Sequence, residues 1–412
     1  YPLTSGTPQL GRAISASLPR RWDVAVAPEA TLPVIAERIP HITPVFYKDM
    51  FDERPDLLNG MFSRSSQLEG TQPRALAGSI AVFAQWLMLH PESYPDEVLS
   101  RVAHKHASIG LQPEEYPTVY KHLFGAIAKD LGSAATPEVV EAWTEVYWLM
   151  ANALIKLEKN LYAQQANNKI RAPFRVVSRK ELGNHTADLT LERADDTAMT
   201  DAKPGQYVSA FARAKDGLLQ PRQFTLLPST KEQRRIAIKL DPAGEMTRIF
   251  LEAHEGDVLE LSNPYGDVTL GTFGDDGKSP LYLIFAGIGV TPMLAFVHEL
   301  AEQQSQRQVV VVGSAASKKE APLYDELAAE VQRLPNGKLL FFSTKAQDGD
   351  FSGHVDVSKL QVPKEAIAYM CGPLPFMKDV RSQLVNAGVP GHQIQYEIFG
   401  PDQWMLHDQA RE

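Results

Sequence analysis

Between residues 27 and 165 apolar side chains recur every three to four positions, and hardly any stretch alternates strictly. That period marks amphipathic helices, and it predicts helical segments over 72–89, 95–109, 116–131 and 137–162. The polar run QQANNKIRA at 164–172 breaks the pattern and reads as a linker. Beyond it the period changes to two. Short alternating runs at 174–179, 187–192, 207–212, 222–227, 235–240 and 257–261 are separated by Gly, Pro, Asn and Asp, the layout of a small six-stranded antiparallel β-barrel. From 280 onward, apolar runs at 281–286, 308–313, 338–343 and 366–371 alternate with helical stretches at 292–304, 322–334 and 375–387. Strands and helices in that order predict βαβ units and a parallel sheet.

The expected fold class is therefore multidomain. An all-α domain at 27–163 and the linker at 164–172 lead into a β-barrel domain at 173–277 and an α/β parallel-sheet domain at 278–412. Residues 1–26 are expected to form an N-terminal extension: they carry Arg12, Arg20 and Arg21 but no apolar segment of the kind a targeting peptide needs. A length of 412 residues suits this division, since domains average roughly 150 residues.

Composition narrows the chemistry. With 44% hydrophobic and 22% charged residues the chain reads as an ordinary soluble globular protein. A net charge of −9 disfavours nucleic acid and anionic membrane surfaces as partners. No apolar run reaches the roughly 18 residues of a membrane-spanning helix. One cysteine, Cys371, excludes an intrachain disulfide and any thiolate cluster for zinc or iron–sulfur, and fits a reducing, cytoplasmic compartment. A metal would be held by His or carboxylate, or arrive inside a cofactor.

In EVLSRVAHKHASI (97–109), Val98, Val102 and His106 share one helix face, while His104 points the other way beside Arg101 and Lys105. Periodicity alone suits a hydrogen-bonded core histidine as well as a metal ligand. Tyr47 lies in VFYKDMF, Phe62 in a loop, and Gln72 and Leu76 one helical turn apart. A tyrosine and a glutamine converging across a cavity from a histidine would make a haem pocket with polar distal donors. Glu158 continues the apolar stripe Trp143, Tyr147, Met150, Leu154, so its carboxylate points inward, where it needs partners.

The later segments carry nucleotide-type chemistry. In PRQFTLL (221–227), Arg222 suits a pyrophosphate, Phe224 an isoalloxazine face and Thr225 the flavin N5 region, with Gln223 between them; taken alone the run reads as an ordinary edge strand, and its neighbours make it specific. PGQY, ending at Tyr207, precedes this run. GEMT (Gly244, Glu245, Met246, Thr247) follows where a helix N-terminus would offer backbone N–H groups to phosphate, and NPYGD closes the barrel region. FAGIGVTP places Gly287, Ile288, Gly289, Val290, Thr291 and Pro292 in a turn whose missing side chains let the backbone approach a pyrophosphate. MCGPLPFM holds Cys371, Gly372 and Pro373 at a strand end, and YEIFGP holds Glu397, Ile398, Phe399, Gly400 and Pro401.

The segments VFYKDMF, KHASIGLQPEEY and AWTEVYWLMANALIKLE, with the Phe62 to Gln72 spacing, resemble the globin domain of bacterial and fungal flavohaemoglobins. The order of the later motifs is similar to the ferredoxin-reductase-like module fused to that globin, and the resemblance spans about 27–404. It implies His106 as the proximal iron ligand, Tyr47 as distal hydrogen-bond donor, Gln72 and Leu76 as distal lining, and Phe62 packed on the haem. It implies Tyr116 and Glu158 around the proximal imidazole, making it more basic and the iron electron-rich. Lys105 would influence the haem and flavin potentials, Phe399 would cover the flavin, and Glu397 would lie near the flavin–haem gap. The family usually has Tyr at position 224 and Ser at 225; here Phe224 and Thr225 keep the ring and the hydroxyl.

The cofactors so implied are one haem b, one FAD, and NADH or NADPH as donor. NADH is the expectation, although Lys318 and Lys319 leave room for a 2′-phosphate. The implied partners are O2, NO and NAD(P)H, with lipid or an azole in the distal pocket, on a monomer. The implied activity is nitric oxide dioxygenation, electrons passing from NAD(P)H through FAD to haem. Reduction of peroxide, quinone or ferric iron, and gas sensing by a self-reducing globin, are the alternatives.

Overall fold

The computed structural model describes residues 28–62, 64, 71–272 and 274–399. Two compact units emerge: the described residues up to Gln165 together with Lys215–Pro221, and a second unit of Ala166–Ala214 with Arg222–Phe399.

The first unit is helical: α1 (Pro28–Glu53), α2 (Thr71–Leu89), α3 (Asp96–Ile109), α4 (Glu115–Leu131) and α5 (Pro137–Ala163). The last four match the segments predicted from periodicity to within one residue at each end. Helix α1 is not among those segments, and it contains Pro33, Pro40 and Pro44, each of which removes a backbone donor. Burial of Ile35, Ile42, Phe46, Tyr47 and Met50 in the shared core holds it together, because most helical stability in proteins comes from packing an apolar face. Thr136 caps α5 by accepting the Val139 N–H, with Pro137 at the first helical position. Gly110 stops α3 in a left-handed conformation, φ 80°, which a side chain rarely adopts. That sharp stop turns the chain back toward the end of its own helix.

The second unit begins with β1 (Arg171–Gly183), β2 (Thr186–Arg193), β3 (Tyr207–Arg213), β4 (Leu219–Thr225), β5 (Gln233–Lys239) and β6 (Val258–Ser262). They form one six-stranded sheet in the order β4-β3-β6-β1-β2-β5, and the Leu227 N–H donates to Arg235 O at 2.8 Å, linking the two outer strands. The six-residue helix α6 (Met246–Leu251) buries Met246 and Phe250 in the barrel core.

The remainder is the parallel sheet: β7 (Leu281–Ala286), β8 (Val309–Ala315), β9 (Gly337–Ser343), β10 (Phe351–Ser352), β11 (Ile367–Cys371) and β12 (Ile394–Glu397). The order is β10-β9-β8-β7-β11-β12, with α7 (Val290–Glu302), α8 (Tyr324–Gln332) and α9 (Leu374–Asn386) as crossovers. Helix α7 starts two residues before the predicted position, since Pro292 is tolerated within a first turn. Strand β10 has only two residues, too few to show a periodicity. Strands β7 to β10 run outward in one direction and β11 returns to the opposite side of β7. Between β7 and β11 lies the switch point where open α/β sheets bind ligands.

Candidate functional site

Three helices bring one polar cluster together in the helical unit. His106 sits in the last turn of α3, Tyr116 in the first turn of α4, and Glu158 near the end of α5. The Tyr116 hydroxyl lies 2.9 and 2.8 Å from the two Glu158 oxygens, and His106 Nδ1 lies 3.1 Å from that hydroxyl and 3.3 Å from Glu158 Oε2. Burial, reinforced by the Glu158 charge, pushes the Tyr116 phenol well above its usual pKa, so it stays protonated and donates to the carboxylate. Its oxygen is then an acceptor. The remaining proton in the cluster belongs on His106 Nδ1, which leaves the Nε2 lone pair bare and able to bind a metal. Glu158 is the inward acid expected from the stripe, with its side chain 4% exposed.

His106 lies at the margin of the buried face of its helix. The fully buried residues of α3 are Val98, Leu99, Ser100, Ala103, Ala107 and Ser108, whereas the His106 side chain is 31% exposed. The histidine therefore flanks the buried stripe, held from one side through Nδ1. Two residues that the sequence does not assign to the site hold its neighbours: Tyr147 donates to Tyr116 O and Tyr162 to Leu111 O, both at 2.6 Å. Tyr147 was legible only as a core position, and nothing in the sequence singles out Tyr162.

Tyr47 is buried in α1, with Phe51 stacked at 5.7 Å and Phe62 edge-on at 6.1 Å. Leu76 is partly buried against the same core. Gln72 lies in α2, one turn before Leu76, and its side chain falls outside the described residues. Lys105 is partly exposed next to His106. Ile35, Ile39, Leu76, Ile80, Phe124 and Trp143 border a small apolar recess of about 30 Å³, open in part to solvent.

In the barrel, Tyr207 is buried and pairs with Tyr265 through both backbone groups. Arg222, Gln223, Phe224 and Thr225 follow one another on β4, so their side chains alternate between faces. Phe224 packs edge-on against Phe250, ring centres 5.4 Å apart, and Gln223 donates to the Ser209 hydroxyl at 2.9 Å. The Thr225 hydroxyl is buried with no hydrogen-bond partner, a position that calls for a bound group. The GEMT side chains have structural roles in part. Met246 is fully buried, and Thr247 binds the Asp241 backbone, accepting its N–H at 2.9 Å. Gly244 and Glu245 lead into α6.

At the switch point, a Cβ on Gly289 would come within 2.2 Å of Cys371 O, so the β7 and β11 ends meet backbone to backbone. The turn Gly287-Ile288-Gly289 leads into Val290, Thr291 and Pro292 on α7, beside Gly372 and Pro373. Glu397 ends β12 in a buried position, next to buried Ile398, and Phe399 is 41% exposed. Gly400 and Pro401 lie outside the described residues.

A ligand-ready histidine in a helical unit, followed by a flavin-type barrel and a nucleotide-type parallel sheet, defines an oxidoreductase that joins a globin to a reductase. Known protein families agree, module by module: residues 45–154 match Globin, 173–270 the Oxidoreductase FAD-binding domain, and 283–382 the Oxidoreductase NAD-binding domain. The chain is 35% identical to the flavohemoprotein of Halalkalibacterium halodurans over 397 residues, covering 90% of this chain and 95% of that protein. It is 34% identical to the Bordetella pertussis flavohemoprotein over 400 residues, covering 92% and 98%. A crystal structure of Malassezia yamatoensis flavohemoglobin with bound FAD and heme shares 63% identity and a TM-score of 0.88, covering 90% of this chain and 97% of that one. The FAD/NAD-binding domain of a Vibrio cholerae nitric oxide dioxygenase, 28% identical with a TM-score of 0.51, covers 56% of this chain and 99% of its own. This chain belongs to the flavohaemoprotein family.

Proposed function

We propose that the chain is a nitric oxide dioxygenase that draws electrons from NADH through FAD to a haem and releases nitrate. The observation that carries this reading is the His106–Tyr116–Glu158 cluster. With Nδ1–H held by a phenol oxygen and a carboxylate, the imidazole becomes a stronger donor through Nε2. Iron held by such a ligand suits oxygen chemistry rather than oxygen storage. The haem would supply oxygen activation, and the flavin would convert a two-electron donor into single electrons.

The chain's own residues bind and orient. His106 would hold the iron through Nε2; Tyr116 and Glu158 position its proton; Tyr147 and Tyr162 hold the backbone that carries them. Tyr47 would donate a hydrogen bond within the haem pocket, with Phe62, Gln72 and Leu76 lining it and Lys105 tuning the potential. Arg222, Gln223 and Tyr207 bind the FAD, Phe224 offers its ring and Thr225 its unpaired hydroxyl. The backbone of Gly244, Glu245, Met246 and Thr247 borders the flavin phosphates. Residues 287–292 and 371–373 would receive the nicotinamide nucleotide, and Glu397 and Phe399 would contribute to the flavin site. The recess beside Leu76 is apolar, which suits a lipid tail or an azole in character, and either would have to enlarge it to bind.

The test is nitrate yield. Joining NO and O2 as nitrate takes one electron, so NADH, a two-electron donor, should give two nitrates per molecule consumed. The His106→Ala variant should lose haem and nitrate formation while NADH still reduces its flavin. NO consumption slower than background NADH oxidation in the unaltered chain would overturn the reading.

A further inference from the structure

We infer that Tyr116, Tyr147 and Trp148 form a one-electron route through the helical unit. Along it the chain gives an electron to a haem oxidised by hydrogen peroxide and moves the resulting electron gap to the surface. Helix α4 carries Tyr116, Tyr120 and Phe124 at intervals of four, on one stripe, and α5 carries Tyr147 and Trp148. The rings pack as one cluster. Tyr120 lies 5.5 Å from Tyr147 and 5.6 Å from Trp148, centre to centre, and Tyr147 meets Trp148 edge-on at 5.2 Å. One end of the cluster reaches the candidate iron site: the Tyr147 hydroxyl donates to Tyr116 O at 2.6 Å, and the Tyr116 hydroxyl lies 3.1 Å from His106 Nδ1. The other end reaches solvent, since Tyr147 is buried but Tyr120 and Trp148 are partly exposed. Phenylalanine would supply the same ring contacts; tyrosine and tryptophan add a polar handle and a ring that can be oxidised.

A phenol that gives up an electron also gives up its proton, so a tyrosine holds an electron gap only where something receives that proton. Tyr116 has a receiver in Glu158, 2.8 Å away, and its oxidation leaves a neutral phenoxyl beside a protonated carboxyl. Tyr147 has none, because its hydroxyl faces a backbone carbonyl, which accepts a hydrogen bond without taking the proton. The gap therefore passes through Tyr147 without resting there. An indole loses an electron before its proton, and the partly exposed Trp148 can release its N–H proton to water. Trp148 is thus the resting place, away from the iron ligand. Hydrogen peroxide takes two electrons and two protons, its O–O bond breaks, and its oxygens end as water. The iron gives up one of these electrons and the route the other, with the Trp148 proton released to solvent. An electron gap kept at the haem would instead damage the porphyrin and its ligand. The inference rests on the haem reading of His106.

The test uses the full-length ferric holoenzyme without NADH, mixed with equimolar hydrogen peroxide and freeze-quenched for electron paramagnetic resonance. An indole-type radical should appear in the unaltered chain. In Trp148→Phe, which keeps an aromatic ring in place, that signal should be lost and a phenoxyl signal should replace it. Repeated additions of peroxide should bleach the haem of Trp148→Phe several-fold faster than that of the unaltered chain. Trp148→Tyr, which returns an oxidisable ring, should recover most of the protection. A merely structural role for Trp148 predicts equal bleaching in the two variants, and that result would overturn the inference. So would an indole signal that is absent from the unaltered chain or survives in Trp148→Phe. If the unaltered chain takes up no haem, the haem reading of His106 itself fails and the inference falls with it, a failure visible in the absorption spectrum before any peroxide is added.

Discussion

Glu158 shows how one side chain settles the character of another. It is the only carboxylate hydrogen-bonded to both His106 and Tyr116 among the described residues, and it sits 3% exposed, where an uncompensated charge is unfavourable. Glu158→Gln keeps the shape and removes the anionic acceptor. On the proposed function, nitric oxide turnover should drop by roughly 10–100-fold, the usual effect of losing a partner behind a metal-bound histidine. Haem content measured in the same samples separates tuning from collapse of the pocket, and full turnover with intact haem would contradict the assignment.

Thr225 offers a sharper case, because its structural and functional roles predict opposite signs. A buried hydroxyl without a partner destabilises a fold, and replacing it by a methyl group of the same shape is neutral or stabilising. Thr225→Val should therefore leave the flavin-free chain as stable as before, or more so. If the hydroxyl serves FAD, the same change should weaken FAD binding about tenfold, as fluorescence titration would read. Unchanged FAD affinity would leave the hydroxyl with no ligand role.

At the scale of elements, the segment joining barrel to parallel sheet is pinned by a buried network. Asp275 pairs with Arg307 at 2.8 Å and accepts from Tyr369 at 2.9 Å and from the Gly271 and Gly277 N–H groups, both at 2.9 Å. Burial alone would raise the Asp275 pKa, but the hydrogen bonds and the Arg307 charge outweigh it and hold the value below 3.8. A depressed carboxyl stabilises the fold above its unfolded pKa, near 4, and that contribution is lost as pH falls through the lower folded value. The window therefore lies below about pH 4. Asp275→Asn leaves the Arg307 guanidinium buried and uncompensated, which should cost about 3–5 kcal/mol at pH 7. It should also remove this part of the acid sensitivity. Amide hydrogen exchange at 269–277 measures both effects, and slow exchange in the variant at pH 7 would refute the account.

The elements also show where pattern reading reaches its limit. Helices α2 to α5 were legible because their apolar residues repeat at 3.6, and β1 to β6 because theirs repeat at two. Helix α1 was hidden by three prolines, whose local penalty is outweighed by packing against other helices. Arg235 reads as one more charge in a strand; only the fold brings it to Asp188 on β2 and Glu326 on α8.

For the whole molecule, the chain sustains separate cores. One holds the α1–α5 residues, one the barrel, and one the parallel sheet. No helix among the described residues is long and apolar enough to cross a membrane. The apolar residues of each core were foreseeable from hydrophobic periodicity, but not their grouping: the parallel-sheet core also takes Leu227, Ala237 and Val268 from the barrel segment.

The sequence by itself determined the order of modules, the type of each element, and the residue types available for chemistry, including His106, Glu158 and the glycine turns. Tertiary structure alone decided which of these meet. The bare Nε2 of His106 follows from a phenol and a carboxylate 10 and 52 residues away, and the approach of Lys239 to Gly287 joins two different sheets. Periodicity records which face of an element is buried; it carries no information about the partner across the core, because that partner is set by how separate elements pack.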